Sequence, residues 1–260
     1  MQKTCRRLGL ALTYIFLYAP IVVLIVFSFN DSKLRGSWQG FTLHWYQDLF
    51  SDRVILTSFY YTMIVAILAT TISTILGTVT AIGIHNLRGW KKTSILNVNY
   101  LPVLNPDIVT AVSLMSLFGF LGMRLGLMTL TISHIVFCTP YVILSVLPKL
   151  KLMDKNLIEA ALDLGATPFE AVWKVVIPEI RTGIFSGALI AFTLSLDDFI
   201  ISFFTTGQGV SNLSVTLYSM VKKGINPSMN ALSALLFLAI LILLFVVNLR
   251  NGDELPGGGR

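Results

Sequence analysis

Two adjacent carboxylates, Asp197 and Asp198, stand in a stretch that carries no charge from Gly183 to Leu196 and turns apolar again at Phe199, Ile200, Ile201, Phe203 and Phe204. An ionised side chain near the centre of a membrane-spanning helix costs about 2.5 to 3.5 kcal/mol, so two in succession require a partner, a proton or a water path. Ser195, Asp198 and Ser202 are spaced i, i+3, i+7. On a continuous helix they share one face, a polar stripe suited to lining a pathway, and Asp197 points about 100° away, toward that pathway or a neighbouring helix. The plain alternative for both aspartates is an interhelix hydrogen bond, or solvation close to the outer interface.

A third carboxylate, Asp107, follows the breakers Pro102, Asn105 and Pro106. Asn105 as N-cap and Pro106 at the first helical position start a new helix there, and the helix dipole favours a negative charge in its first turn. Interrupted helices at membrane depth are where transporters place substrate sites, although a carboxylate that only stabilises a helix start has the same pattern. Trp45 belongs to an aromatic run with Trp38, Phe41, Tyr46 and Phe50. Such a run is an interfacial belt, or, at Trp45, a ring face for an ammonium group in series with the carboxylates. Cys5, Cys138, His44, His85 and His134 are too scattered for a disulfide or a metal site, and the cysteines are read as fillers.

The elements that must position these groups follow from composition. With 55% hydrophobic and 12% charged residues and a mean hydropathy of +0.78, the chain is an all-α integral membrane protein. Apolar stretches of spanning length fall near residues 8–28, 59–84, 97–121, 127–147, 183–204 and 231–249, which predicts six transmembrane helices. They form one membrane domain, 1–251, followed by a Gly-rich tail, 252–260, expected to be disordered. The first stretch is too long for a signal peptide and lacks a small-x-small cleavage site, so it is expected to stay as an anchor. Lys and Arg divide 13 to 6 between the two sides, which predicts cytoplasmic termini and a cytoplasmic loop at 149–182. The same bias accounts for the net charge of +6, and there is no basic stripe of the kind a nucleic-acid groove uses.

That loop has a readable construction. Asp154 is a candidate N-cap for a first short helix, with Glu159 and Asp163 one turn apart, and Gly165 supplies its left-handed stop. Thr167, Pro168 and Glu170 then make a Thr-x-x-Glu capping box with proline at the first helical position. Phe169, Val172, Trp173 and Val176 form one apolar stripe ended by Pro178. No Gly-x4-Gly-Lys-Ser/Thr phosphate loop is present in the chain.

Glu159, Ala160 and Ala161, then three residues, Gly165, nine residues and Val175-Val176-Ile177-Pro178 resemble the EAA loop of ABC importer permeases, Glu-Ala-Ala-x3-Gly-x9-Ile-x-Leu-Pro, with valine for isoleucine and isoleucine for leucine. Together with Ser195-Leu196-Asp197-Asp198, Asn105-Pro106-Asp107 and Trp45-Tyr46, the chain resembles the permeases of spermidine/putrescine ABC importers, the C-type subunit among them. The resemblance covers nearly the whole chain and implies a type I importer permease fold with cytoplasmic coupling helices in a bacterial inner membrane. It implies a transport subunit and not an enzyme. Glu159, Ala160, Ala161, Asp163, Gly165 and Pro178 would meet an ATPase dimer that binds ATP and Mg, this chain holding no cofactor. Trp45, Asp107, Ser195, Asp197 and Asp198 would meet the polyamine. A second permease and an extracytoplasmic polyamine-binding protein complete the assembly within membrane lipid.

Permeases for iron, thiamine and opines share this scaffold and are the alternative. A proton-coupled amine carrier would also use intramembrane aspartates but has no use for such a loop. An intramembrane aspartyl hydrolase would need two of these carboxylates to share a proton, and it too leaves the loop unexplained.

Overall fold

The computed structural model describes residues 2–32, 37–154, 156–223 and 227–252. The Gly-rich tail from 253 onward lies outside them. Helices account for most of the described residues, with no β-strand among them and one isolated bridge between Asn30 and Phe41. The chain divides into two compact units, one of Met1–Leu56 with Thr216–Arg260, the other of Thr57–Val215.

In the first unit α1 (Gln2–Phe27) packs along α13 (Pro227–Gly252), which also meets the short α2 (His44–Ser51). α1 is apolar all round, and its side chains are exposed from Arg6 to Pro20. In water that surface would drive aggregation, and against lipid it is at rest. The Asn30 loop beside α2 is closed by its own side chains. Asn30 Nδ2 donates to the Ser37 carbonyl at 2.8 Å, its Oδ1 accepts from the Gln39 amide at 2.9 Å, and Phe29 stacks on Phe41 with centroids 5.4 Å apart.

The second unit is organised on α6 (Leu127–Leu152), whose buried residues run from Thr129 to Leu150. α10 (Arg181–Asp197) lies along its C-terminal half and α11 (Ile200–Thr205) along its N-terminal half. Close approach is set by small residues. A Cβ at Gly183 would lie 3.1 Å from the Ser145 carbonyl oxygen, and one at Gly187 would lie 3.2 Å from the Val142 Cα. Lipid supplies no hydrophobic force between spans, so backbone proximity of this kind is what gives their packing its dispersion energy.

Among the described residues three helices are each long and apolar enough to cross a membrane: Arg6–Phe27 within α1, α3 (Arg53–Asn86) and α6. Two bent pairs raise the number to five, counting each pair as one span. The first pair is α4 (Gly89–Leu104) with α5 (Asp107–Phe120), bent by 104°; the second is Pro168–Glu179 with α10, bent by 70°. α13 is apolar over Pro227–Ile242 and falls short of spanning length there, so the described residues support up to five of the six expected spans. Where 97–121 reads as one interrupted span, the chain turns by 104° between Leu104 and Asp107. Pro102 does not cause this, because α4 runs through it; the break comes at Asn105, whose backbone is extended, and Pro106. A residue before proline is pushed out of the helical region, which ends α4 there.

Candidate functional site

The aspartate pair sits at a helix break. α10 ends at Asp197, Asp198 turns to φ −58°, ψ 129°, and α11 begins at Ile200. The continuous face expected for Ser195, Asp198 and Ser202 is therefore corrected: the three converge because the chain turns, not because they share one helix. A break within a membrane leaves backbone groups without partners, each costly unless satisfied by protein. Here side chains supply them. Asp198 Oδ1 accepts from the Ile201 amide at 3.2 Å and Oδ2 from the Ser202 amide at 2.7 Å. The Asp198 carbonyl accepts from Asn212 Nδ2 at 3.0 Å, and the Asp197 carbonyl from Ser214 Oγ at 3.2 Å.

Behind the break stands His134 of α6. Its Nδ1 lies 2.7 Å from Ser195 Oγ and its Nε2 lies 2.9 Å from Ser202 Oγ. Asn212 Nδ2 also donates to Ser202 Oγ at 2.6 Å. Asp198 Oδ2 is 3.6 Å from His134 Nε2, and the two side chains are 6% and 1% exposed. One turn nearer the α6 N-terminus, Thr129 Oγ1 donates to the Thr205 carbonyl at 2.9 Å. Ser195 and Asp198 are thus enclosed within the chain's own packing, whereas Asp197 is exposed and meets no cation among the described residues.

Asp107 occupies the first turn of α5, half-buried, with Pro106 rather than Asn105 at the N-cap position. α5 and α11 pack together, so the two interrupted segments are neighbours. Trp45 is corrected more fully. Its ring is 4% exposed and its Nε1 donates to the Asn30 carbonyl at 2.8 Å, because α2 folds its first turn onto the Asn30 loop. That buried ring offers no open face to an ammonium group.

The Glu159 loop is built largely as its residues dictate. α7 (Asn156–Asp163) follows Asp154, whose Oδ1 accepts from the Asn156 amide at 3.0 Å. Gly165 has φ +86°; its amide donates to the Leu162 carbonyl at 2.9 Å and the Ala166 amide to the Ala161 carbonyl at 3.0 Å. These two bonds are the Schellman pair that a left-handed C-terminal residue permits. α8 (Pro168–Ala171) opens on the expected capping box: Thr167 Oγ1 accepts from the Glu170 amide at 3.3 Å, and the Thr167 amide donates to Glu170 Oε2 at 3.0 Å.

The far end of the loop differs from expectation. A π-helical turn, Val172–Val176, separates α8 from α9 (Ile177–Glu179), and the axis bends at Ile180, so Pro178 lies inside the helical run and does not end it. The widened turn also splits the predicted stripe. Val176 is buried and Val172 half-buried, while Phe169 and Trp173 are 76% and 65% exposed beside Leu164 at 90%. Glu159, Ala160 and Asp163 are exposed and Ala161 is half-buried. Glu159 also lines an open groove of about 500 Å³ with Ile158, His85, Arg88, Lys92 and Lys151.

Glu170 responds to acid in a calculable direction. Its hydrogen bond from the Thr167 amide, reinforced by Lys174 Nζ at 2.9 Å, holds its carboxyl down from the usual 4.5 to about 2. A depressed carboxylate pKa contributes stability that is complete above the unfolded value and lost as pH falls through the folded one. Pepsin cleavage after Phe169, measured relative to other sites, is therefore expected to rise as pH falls from 4.5 toward 2. Glu170→Gln, which keeps the box but not the charge, is expected to show no such rise.

His134, Asn212 and Thr129 are the residues that the sequence left unassigned. His134 carried a signal, a titratable side chain in an apolar span, but its partners lie 61 and 68 residues away and no local pattern names them. Among the described residues no three His, Cys, Asp or Glu side chains gather as metal ligands.

The arrangement is a helical membrane scaffold with an interrupted, carboxylate-bearing span and a capped surface loop, the architecture of an importer permease. Residues 73–250 match the family described as binding-protein-dependent transport system inner membrane component. The chain belongs to this family and is a multi-pass inner-membrane transport subunit, not an enzyme. It is 37% identical over 244 residues to the spermidine/putrescine transport system permease protein PotC of Escherichia coli K12, covering 94% of this chain and 92% of that one. It is 36% identical over 253 residues to the putrescine transport system permease protein PotI of the same organism, covering 95% and 90%. The Haemophilus influenzae PotC is 34% identical over 249 residues, covering 95% and 97%. A bacterial ABC transporter that imports the acidic polysaccharide alginate shares the fold with a TM-score of 0.79 at 14% identity, covering 95% of each chain.

Proposed function

We propose that this chain is a permease subunit of an ATP-driven importer of polyamines such as spermidine or putrescine. The observation that carries the proposal is Asp197, an exposed carboxylate without a cation, set beside a helix break in an otherwise apolar segment. A linear polycation is attracted by such a group, and an anionic solute is repelled. The relatives named for spermidine and putrescine transport support the same solute class. A binding protein delivers the polyamine at the outer face, and a second permease closes the path. On the cytoplasmic face an ATPase dimer, which binds ATP and Mg, seats the Glu159 loop. The exposed apolar group of Leu164, Phe169 and Trp173 around the capped helices supports that docking role, since patches of this kind mark interaction surfaces.

Expression with its partner subunits in cells that lack polyamine import tests the proposal. Labelled spermidine or putrescine is expected to accumulate, and Asp197→Asn is expected to raise the half-saturating concentration about tenfold, as the loss of one charge contact does. Uptake of neither amine, with another solute taken up instead, overturns it.

A further inference from the structure

We infer that His134 is a positioning residue for transport: by bonding to both sides of the α10–α11 break it keeps Asp198 turned inward and Asp197 turned out to meet the cation. The inference rests on the reading that a cationic solute passes this break.

The geometry is specific. Ser195 and Ser202 are seven residues apart, which on an unbroken helix places them about 10.5 Å from each other along the axis. One imidazole reaches both, at 2.7 Å and 2.9 Å, only because the chain turns at Asp198 between them. His134 is therefore satisfied in the broken conformation, and straightening the helix leaves a ring nitrogen unpaired in a site where it is 1% exposed. A buried polar atom stranded in this way loses its water without gaining a partner, which favours the broken conformation over the straight one.

The two aspartates consequently have different tasks. The Asp198 carboxylate is engaged by the Ile201 and Ser202 amides, with the His134 ring beside it. Asn212 locks the turn from the other side through the Asp198 carbonyl and Ser202 Oγ. None of these contacts involves the Asp197 side chain. Its direction is set by the break and hence by the ring that holds the break on α6.

The test uses the assembled transporter in lipid nanodiscs and membrane vesicles, with Cys5 and Cys138 replaced by alanine wherever a cysteine is introduced. His134→Phe keeps the ring's bulk and removes both bonds, and His134→Gln keeps a donor and an acceptor. Three quantities are measured: hydrogen exchange over Asp198–Thr205, the rate at which a water-soluble thiol reagent labels Asp197→Cys, and the half-saturating spermidine concentration. His134→Phe is expected to speed exchange at Ile201 and Ser202, slow the labelling and raise the half-saturating concentration, each by about tenfold, with assembly retained. His134→Gln is expected to restore most of each. Asp197→Asn is expected to raise the half-saturating concentration with exchange unchanged.

Faster exchange with unaltered labelling and saturation makes His134 merely structural and overturns the inference, as does unaltered exchange. If His134→Phe fails to assemble, the Gln variant decides: wild-type values support the inference, and altered transport with normal exchange and labelling overturns it. If the unmodified transporter takes up no polyamine, the solute reading fails, and exchange and labelling still decide whether His134 aims position 197.

Discussion

Replacing Gly187 with leucine is expected to separate α10 from α6 and to leave little correctly assembled protein in the membrane. Even a Cβ there lies 3.2 Å from the Val142 Cα and 3.3 Å from the Ser145 Cβ, and the first of these belongs to a backbone that cannot step aside. Gly183, one turn away, meets Ser145 and Lys149 in the same manner, so the two helices have no slack along this seam. Overpacking a well-filled contact costs about 1 to 3 kcal/mol, and here the displaced helix also carries the break with Asp197 and Asp198. Leucine is thus expected to lower the thermal midpoint of the purified transporter and its polyamine uptake together, and Gly187→Ala to have a smaller effect. A Gly187→Leu protein of normal stability would show that α10 is not held on α6 by backbone proximity.

The second large effect is expected at Gly165. With φ at +86° and its amide donating to the Leu162 carbonyl, this residue sets the angle between α7 and α8. Proline cannot adopt that φ and has no N–H to give, so Gly165→Pro breaks both the conformation and the bond. The variant is expected to assemble with its permease partner, because a Cβ at Gly165 meets nothing within 4 Å, yet to lose ATP-driven uptake. Asparagine tolerates the left-handed region, so Gly165→Asn is expected to keep most of the activity. Alanine is expected to fall between them. The measurement is uptake per ATP hydrolysed in proteoliposomes, and full coupling in Gly165→Pro would remove the hinge from the mechanism.

Legibility from sequence tracked the distance over which each interaction acts. The Thr167–Glu170 box, the Gly165 stop and the helix start before Asp107 involve partners within a few residues, so the order of residue types suffices to draw them. The stripe from Phe169 to Val176 failed although its spacing was helical: Val176 packs inward and Val172 partly so, while Phe169, before the π turn at Val172–Val176, and Trp173, within it, stay exposed. Trp45 failed for a related reason. Its indole N–H found the Asn30 carbonyl 15 residues back, a pairing that aromatic content alone does not reveal.

At the aspartate pair the two sources of information divide most clearly. Composition and the length of the apolar stretches determined by themselves that the chain lives in a membrane, and the cost of charge there marked Asp107, Asp197 and Asp198 as requiring an explanation. Only the tertiary structure decided which carboxylate is enclosed and which is open. Adjacent residues of the same type have nearly the same local energetics, so nothing in their order separates them. They are separated by a ring from α6, which bonds the hydroxyls of Ser195 and Ser202 on either side of the break, and by an amide from the loop before α12 (Leu213–Lys223), which satisfies the Asp198 carbonyl; neither engages the Asp197 side chain.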